Sequence, residues 1–459
     1  MESFFGALKN GNFAVLDINI DRNGQMVLAI QQYLRSNEVS SLEKLVKSQN
    51  LYENRWTRFN NLVESFLIYC KELNPYSLWE SSFSIFQYYQ DLNTCLTNES
   101  TIYPLDSLVP LFTSTTELII PMAIRLDRNY KIIGTRQHQF LTHIASIISK
   151  LFNSIKSRVD DDKVEFANLS GKQKILLYIA NKLSMIYFKI NSPSSCSNIF
   201  KNLKPKSNIN SFSQYPLLER MQFRYYLGRY YLLNHRIVNA FHQLNQCYQL
   251  LVTLPDSEHS AYSVIKRNNM RRLLKFLIPC GIIIGKLPDF YKLSQWDQQL
   301  AELYTGLLMG VKNGNLHAVN MWLYQNEAWL KESKLLIVLL EKLPILTFRS
   351  LLRSIFLNYC IPRHSNKLPY SVIRPLLAKS IGTYSPDIPA IYKENYTAES
   401  LENILVTLSI QQLWKGNVFP SLQVCVTMKT DDISMIFPKI NEKVVSRFSL
   451  SHEDSWLDK

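Results

Sequence analysis

The chain has 459 residues, 46% hydrophobic and 19% charged, so it carries ample material for packed cores and is too long for one ordinary core. Only 13 glycines are present, and strict alternation of apolar and polar residues is scarce, which disfavours a large all-β fold. Lys and Arg outnumber Asp and Glu by 51 to 37, and the excess is concentrated: 12 against 14 in residues 1–140, 25 against 12 in 141–340, and 14 against 11 in 341–459.

Residues 1–50 predict a short amphipathic helix and a turn, with Gly11-Asn12 and Asn23-Gly24 as breakers. From Arg55 to Cys95 two helical patterns form a hairpin joined at Asn74-Pro75. Further helical patterns cover Leu105–Arg125, Thr135–Ser157 and Gly171–Ile190. The stretch 157–170 is the most polar loop of this half and reads as a flexible insertion, with Asp160, Asp161 and Asp162 as a solvated acidic run rather than a metal site. Lys201–Ser213 reads as a second linker.

In Arg224–Gly285, Leu227, Gly228 and Tyr231 are followed by Ala240 twelve residues after the glycine. That spacing reproduces much of the tetratricopeptide pattern, in which small residues let two antiparallel helices approach closely. Ser294–Met309 and Leu316–Leu330 flank the turn 310–315 as one more pair. A right-handed stack of such hairpins is the expected architecture, each burying its apolar stripe on the next.

The pattern changes after Leu330. Leu335–Leu343 and Phe348–Tyr359 read as two short helices divided at Pro344, Pro369–Ile381 as a third, and Thr397–Leu413 as a fourth. Gly416-Asn417 then reads as a hairpin turn and Leu422–Thr427 as a strand, with Ile440–Phe448 as a last helix. Helices followed by a small β-ribbon make a winged helix. The expected fold class is mainly α, with an N-terminal helical region at 1–170, helical repeats at 171–334, a winged-helix subdomain at 335–450 and a polar tail at 451–459.

The longest apolar run, Phe276–Gly285, has ten residues with Pro279 and Gly281 inside it, against roughly 20 for a bilayer span. The opening residues lack a cationic stretch leading into a long apolar one, so neither membrane insertion nor secretion is expected. Seven widely spaced cysteines without a CxxC pair read as core residues of a reducing compartment. The sequons at Asn98, Asn168 and Asn395 are then chance matches.

No phosphate-binding GxxxxGK[ST] loop, HExxH helix or GxSxG elbow is present, and His138 and His143 are five apart, which does not align them as ligands on one helical face. No enzyme and no cofactor is expected. The basic middle suggests a face that meets nucleic acid or an acidic polypeptide, with simple solubility as the competing reading.

Phosphate contacts need cations on a rigid support. In the C-terminal module the candidates are Arg363, Lys367, Arg374 and Lys379, then Lys415 and Lys429 bracketing the predicted wing, then Lys439, Lys443 and Arg447. For each lysine alone, a solvated surface residue is the plain alternative. Lys201, Lys204 and Lys206 in the linker, and Lys266, Arg267, Arg271, Arg272 and Lys275 at the opening of a helix, suit RNA or an acidic partner equally. Arg224, Arg229 and Arg236 read as structural, with buried stems and locally satisfied heads. Tyr225, Tyr226, Tyr230 and Tyr231 read as helix-packing residues rather than base-stacking ones. Trp414 and Phe419 are candidates for a protein partner, with closure of the winged-helix core as the alternative.

A helical-hairpin stack running into a winged helix resembles the PCI-domain family, and GVKNGNL at 310–316 is similar to that family's last hairpin. RYYLGRYYLLN (224–234), RRLLKFLIPCGIIIGK (271–286) and NKLPYSVI (366–373) resemble the branch containing the PCI subunit of the second TREX complex. So do GNFAVLDINIDRNGQ (11–25), HQFLTHIASIISKLFNSIK (138–156), GKQKILLYIANKLSMIYFKI (171–190), CSNIFKNLKPKS (196–207) and LLIVLLEKLP (335–344).

The resemblance implies a non-enzymatic nuclear subunit that couples transcription to mRNA export at nuclear pores. It implies a large germinal-centre-associated-type scaffold paired with the winged helix, and a small acidic disordered subunit shared with the proteasome lid. It also implies a basic platform binding RNA and DNA without sequence preference. The alternative within the family is an interaction subunit of another assembly, signalosome-associated or lid-like, that does not bind nucleic acid.

Overall fold

The structure is a computed structural model describing residues 1–36, 41–98, 102–156, 163–255, 260–430 and 432–458, with the side chains of 260–262 excepted. The chain divides into two compact units, Met1–Tyr226 with Asp454–Lys459, and Leu227–Glu453.

The first unit is built from helices. Glu2–Lys9 buries Phe4, Phe5 and Leu8. The expected breaker Asn23-Gly24 lies inside the helix Ile20–Ser36, whose Val27, Ile30 and Leu34 face the core. Burial of that stripe outweighs the roughly 1 kcal/mol that a helical glycine costs, and the Asn23 amide donates to the carbonyls of Val15 and Asp17 at 2.8 and 2.9 Å. Thr57–Glu72 and Ser82–Leu96 form the predicted hairpin. Two buried phenols tie it to the opening turn, Tyr69 donating to the Ile18 carbonyl and Tyr88 to that of Leu16.

Val109–Arg128 and Gln139–Ser154 follow as a packed pair. The buried Asp127 carboxylate accepts from the amides of Phe140 and Leu141, satisfying two orphan donors at the start of the second helix. Leu105–Arg128 is long and apolar enough to cross a membrane by length and composition, and half of its apolar window is buried here.

The linker expected at Lys201–Ser213 is largely helical: Cys196–Lys206 is a helix with Ile199 and Leu203 buried at a spacing of four, and Pro205 falls in its last turn. In the stretch 157–170, residues 157–162, including the three aspartates, lie outside the described residues; Val164 then bridges to Ile209.

The second unit starts within the helix Leu217–Leu233. A Cβ on Gly228 would stand 2.7 Å from the Leu244 side chain and 3.3 Å from the Ala240 carbonyl oxygen. The glycine therefore permits the close approach of Ile237–Val252 that its spacing predicts. Ser260–Ile283 packs on that helix. The pair expected at 294–330 is more finely cut, into Phe290–Trp296, Gln298–Lys312, Leu316–Gln325 and Glu327–Ser333. Asp297 and Asn315 start new helices by accepting from the amides of Leu300 and Ala318.

Pro344 does not divide two helices. Leu336–Ile355 is continuous with Pro344 buried inside it. A helical proline costs about 3 kcal/mol, and the buried stripe Val338, Leu339, Leu343, Leu346 and Leu352 runs past it on both sides. The winged-helix end has a three-stranded antiparallel sheet in the order β1-β3-β2, from β1 (Lys367–Pro369), β2 (Gly416–Phe419) and β3 (Val424–Thr427). Gly416-Asn417 opens β2 rather than forming the turn, which is made by Pro420–Leu422 and the left-handed Gln423. The expected polar tail is partly ordered, with a 3-10 helix at His452–Asp458 that buries Leu457.

Candidate nucleic-acid and partner interface

Strand register decides which candidate residues share a surface. Leu368 faces Cys425 across β1 and β3, and Val418 faces Cys425 across β2 and β3. Leu368 and Cys425 are buried, so this row points into the unit. The alternate rows, Lys367–Val426–Asn417 and Pro369–Val424–Phe419, point outward. Phe419 is 41% exposed and Leu422, in the turn, 73% exposed. The wing tip is therefore apolar and carries no cation.

The lysines gather at the opposite end. β1 and β2 both run antiparallel to β3, so their starts and the end of β3 share one edge of the ladder. Lys367 begins β1, Lys415 precedes β2 and Lys429 follows β3 by two residues; all three are exposed. Arg363, four residues before β1, lies over the Tyr359 ring at 4.1 Å and donates to the Tyr359 carbonyl, which orients an exposed guanidinium.

The other C-terminal cations are distributed differently. Arg374 and Lys379 are exposed on the helix Tyr370–Ile381, with Arg374 over the Tyr370 ring. Lys443 and Arg447, on Ile440–Arg447, line an open hollow of 260 Å³ together with Ile410, Gln411, Gln412 and Ser446. Arg447 donates to the Ile410 carbonyl there. Lys439 is in an ion pair with Glu442 at 3.4 Å.

Trp414, one of the two expected partner contacts, is 2% exposed and belongs to the core. Its large apolar ring is accommodated inside the module, and Phe419 is the one that reaches the surface. Periodicity gave no sign of Arg349, which holds this module together. It is 9% exposed, and its guanidinium donates to the carbonyls of Leu413, Phe437 and Pro438 at 3.2, 3.3 and 2.7 Å. Burial, followed by the nearby Arg353, lowers its pKa to about 10. It ties the helix Leu336–Ile355 to the segments on either side of the sheet.

Of the eight central cations, four have internal partners. In the first unit, Lys206 donates to the Ile155 and Asn153 carbonyls and burial lowers its pKa. Lys201 and Lys204 are exposed on the helix rather than in a linker.

In the second unit, Lys266 is 8% exposed and donates to the Leu254 carbonyl. Arg271 pairs with Asp297, which also caps a helix. Lys275 is half-buried over the Trp329 ring, and desolvation lowers its pKa. Arg267 and Arg272 stay exposed. Burial withdraws Lys206, Lys266 and Lys275 from phosphate, and Arg271, though exposed, is engaged by Asp297, so the central candidates reduce to Lys201, Lys204, Arg267 and Arg272. The Arg224 head is satisfied far along the chain, by the Leu457 carbonyl and Asp458, rather than locally. Among the described residues, no three His, Cys, Asp or Glu side chains are grouped to hold a metal.

No family model matches the chain. It is 41% identical over 454 residues to the "Nuclear mRNA export protein THP1" of Saccharomyces cerevisiae, covering 98% of each chain. It is 25% identical over 351 residues to a "PCI domain-containing protein" of Schizosaccharomyces pombe, covering 74% of this chain and 72% of that one. Over 183 residues it is 26% identical to "PCI domain-containing protein 2" of Xenopus laevis, covering 40% and 41%.

Proposed function

This chain belongs to the PCI-domain family that includes the nuclear mRNA export protein THP1, and on that premise we propose that it is a non-enzymatic scaffold subunit that binds RNA and DNA in a transcription-coupled export complex. A part in nuclear mRNA export follows from its relatives, which are export and PCI proteins rather than enzymes. Its expected partners are a large germinal-centre-associated-type scaffold and a small acidic subunit shared with the proteasome lid, and its expected place is the nuclear pore.

One observation carries the nucleic-acid part of this reading. Lys367, Lys415 and Lys429 come from three separate segments, and the sheet brings them to one edge. Cations fixed on a rigid edge add their potentials and hold phosphates without reading sequence. The outward rows and tip, with Phe419, Leu422 and Val424, supply an apolar surface suited to a second winged helix. The two functions then occupy opposite ends of the same small sheet.

The test uses the complex assembled with its co-purified subunits. Lys367→Glu, Lys415→Glu and Lys429→Glu together are expected to lower RNA affinity at low salt and reduce the slope of log affinity against log salt by about 2. An unchanged slope with assembly intact refutes the assignment of these residues. Recovery of signalosome or lid subunits in place of the export scaffold refutes the assignment of the complex.

A further inference from the structure

The segment Asp454–Asp458 belongs to the first unit, although 227 residues of the second unit precede it in the chain. Trp456 meets the Phe212 ring edge-on at 5.1 Å. Leu457 is 3% exposed. Arg224, 5% exposed, donates to the Leu457 carbonyl and pairs with Asp458 at 2.9 Å, with its own guanidinium 5.6 Å from the Phe212 ring centroid. The anchors are thus an aromatic ring, an aliphatic side chain, a main-chain carbonyl and a carboxylate, all within three consecutive residues.

That combination is how folded domains grip short peptides. Apolar side chains enter pockets, while a rigid cation reads the backbone and an acid. A 3-10 helix this short has little stability of its own, because its few hydrogen bonds have poor geometry, so the surface holds the segment rather than the reverse. One turn before Arg224, Arg220 has its Nε buried with no hydrogen-bond partner among the described residues. Burial, then Arg224 nearby, lowers the pKa of Arg220. Two guanidiniums on one helix face, one of them incompletely satisfied, suit a ligand with more than one acidic group.

We propose that Phe212 and Arg224 form a peptide-recognition cradle on the first unit, specific for an aromatic–aliphatic–acidic sequence, and that Trp456-Leu457-Asp458 is its tethered ligand. The tether keeps the local concentration of this ligand high, so free peptide does not compete in the intact chain. The site is open to another peptide of the same chemistry only when the tethered one leaves.

The experiment vacates the cradle in the full-length chain with Trp456→Ala and Asp458→Asn, then adds a fluorescein-labelled peptide of residues 450–459 and follows anisotropy. The vacated chain is expected to bind at least about tenfold tighter than the unaltered chain, and adding Arg224→Met is expected to abolish the gain. No gain in the vacated chain, or a gain that survives Arg224→Met, overturns the proposal. Because Arg224→Met removes a buried charge and can impair folding, hydrogen exchange in the Asp458→Asn chain gives a second reading. Amides of 208–226 are expected to exchange about tenfold faster than in the unaltered chain, as local opening becomes easier. Unchanged exchange overturns the proposal.

Discussion

Arg349 shows how one buried side chain governs a module that carries no unusual sequence pattern. Its guanidinium satisfies three carbonyls through buried hydrogen bonds. Arg349→Met is expected to destabilise the second unit by about 2–3 kcal/mol in urea denaturation. Arg349→Lys is not expected to rescue it, because an ammonium lacks the planar fork that reaches acceptors on two sides.

Glu219, in the first unit, makes a pH-dependent contribution of the opposite sense. Desolvation raises its pKa, against a hydrogen bond from Asn181 and the charge of Lys182. A carboxyl whose folded pKa is raised holds its proton more tightly in the folded state, so its contribution is fully present below the unfolded value and is lost as pH rises through the folded one. Glu219→Gln is therefore expected to raise the melting temperature at pH 7, with the difference vanishing once the pH drops below about 4. An equal or lower melting temperature for the variant at pH 7 contradicts this.

At the scale of elements, two glycines near one hairpin answer to different constraints. Gly314 has φ +66°, and a Cβ there would stand 2.6 Å from the backbone of Leu351, which cannot turn aside as a flexible side chain would. Gly314→Ala is expected to cost about 2–4 kcal/mol through strain and overpacking together. Gly306 lies inside the helix Gln298–Lys312, where a Cβ would meet only the Trp322 ring at 3.6 Å, an ordinary contact. Gly306→Ala is expected to stabilise by up to about 1 kcal/mol, the helix-propensity difference. Thermal melts of the two variants should move in opposite directions.

Two of the element boundaries that differ from sequence expectation share one cause. Pro344 and Gly24 are strong local breakers, and each sits inside a helix whose buried stripe continues past it. Local signals cost a few kcal/mol at most, and tertiary burial of several large side chains exceeds that.

At the scale of the whole molecule, the seven cysteines are all buried. Desolvation pushes the thiols of Cys280 and Cys425 up to about 12 and that of Cys360 up to about 11. At pH 8 the folded chain is expected to resist a disulfide reagent, and all seven thiols should titrate after guanidinium denaturation. Rapid labelling of any thiol in the native chain contradicts the packing described.

Much at this scale was legible beforehand. The helical class, the β-bearing end and the hairpin at Gly228 follow from periodicity and from where small residues fall. Long matching stretches, from 11–25 to 366–373, pointed to the family that the relatives identify. The candidate site was legible only as a set of residue types. Lysines near a wing are visible in a sequence, but a lysine bound to a buried carbonyl, such as Lys266 or Lys206, looks the same there as one facing solvent.

The sequence by itself determined the mainly helical class, the winged-helix end and the family, because short-range periodicity and long stretches of wording are properties of neighbouring residues. The tertiary structure alone decided that Lys367, Lys415 and Lys429 share a sheet edge, that the wing tip is apolar, that Trp414 is core, and that Asp458 meets Arg224. Strand register and pairings across 234 positions depend on which surfaces bury together, and no local pattern encodes that choice.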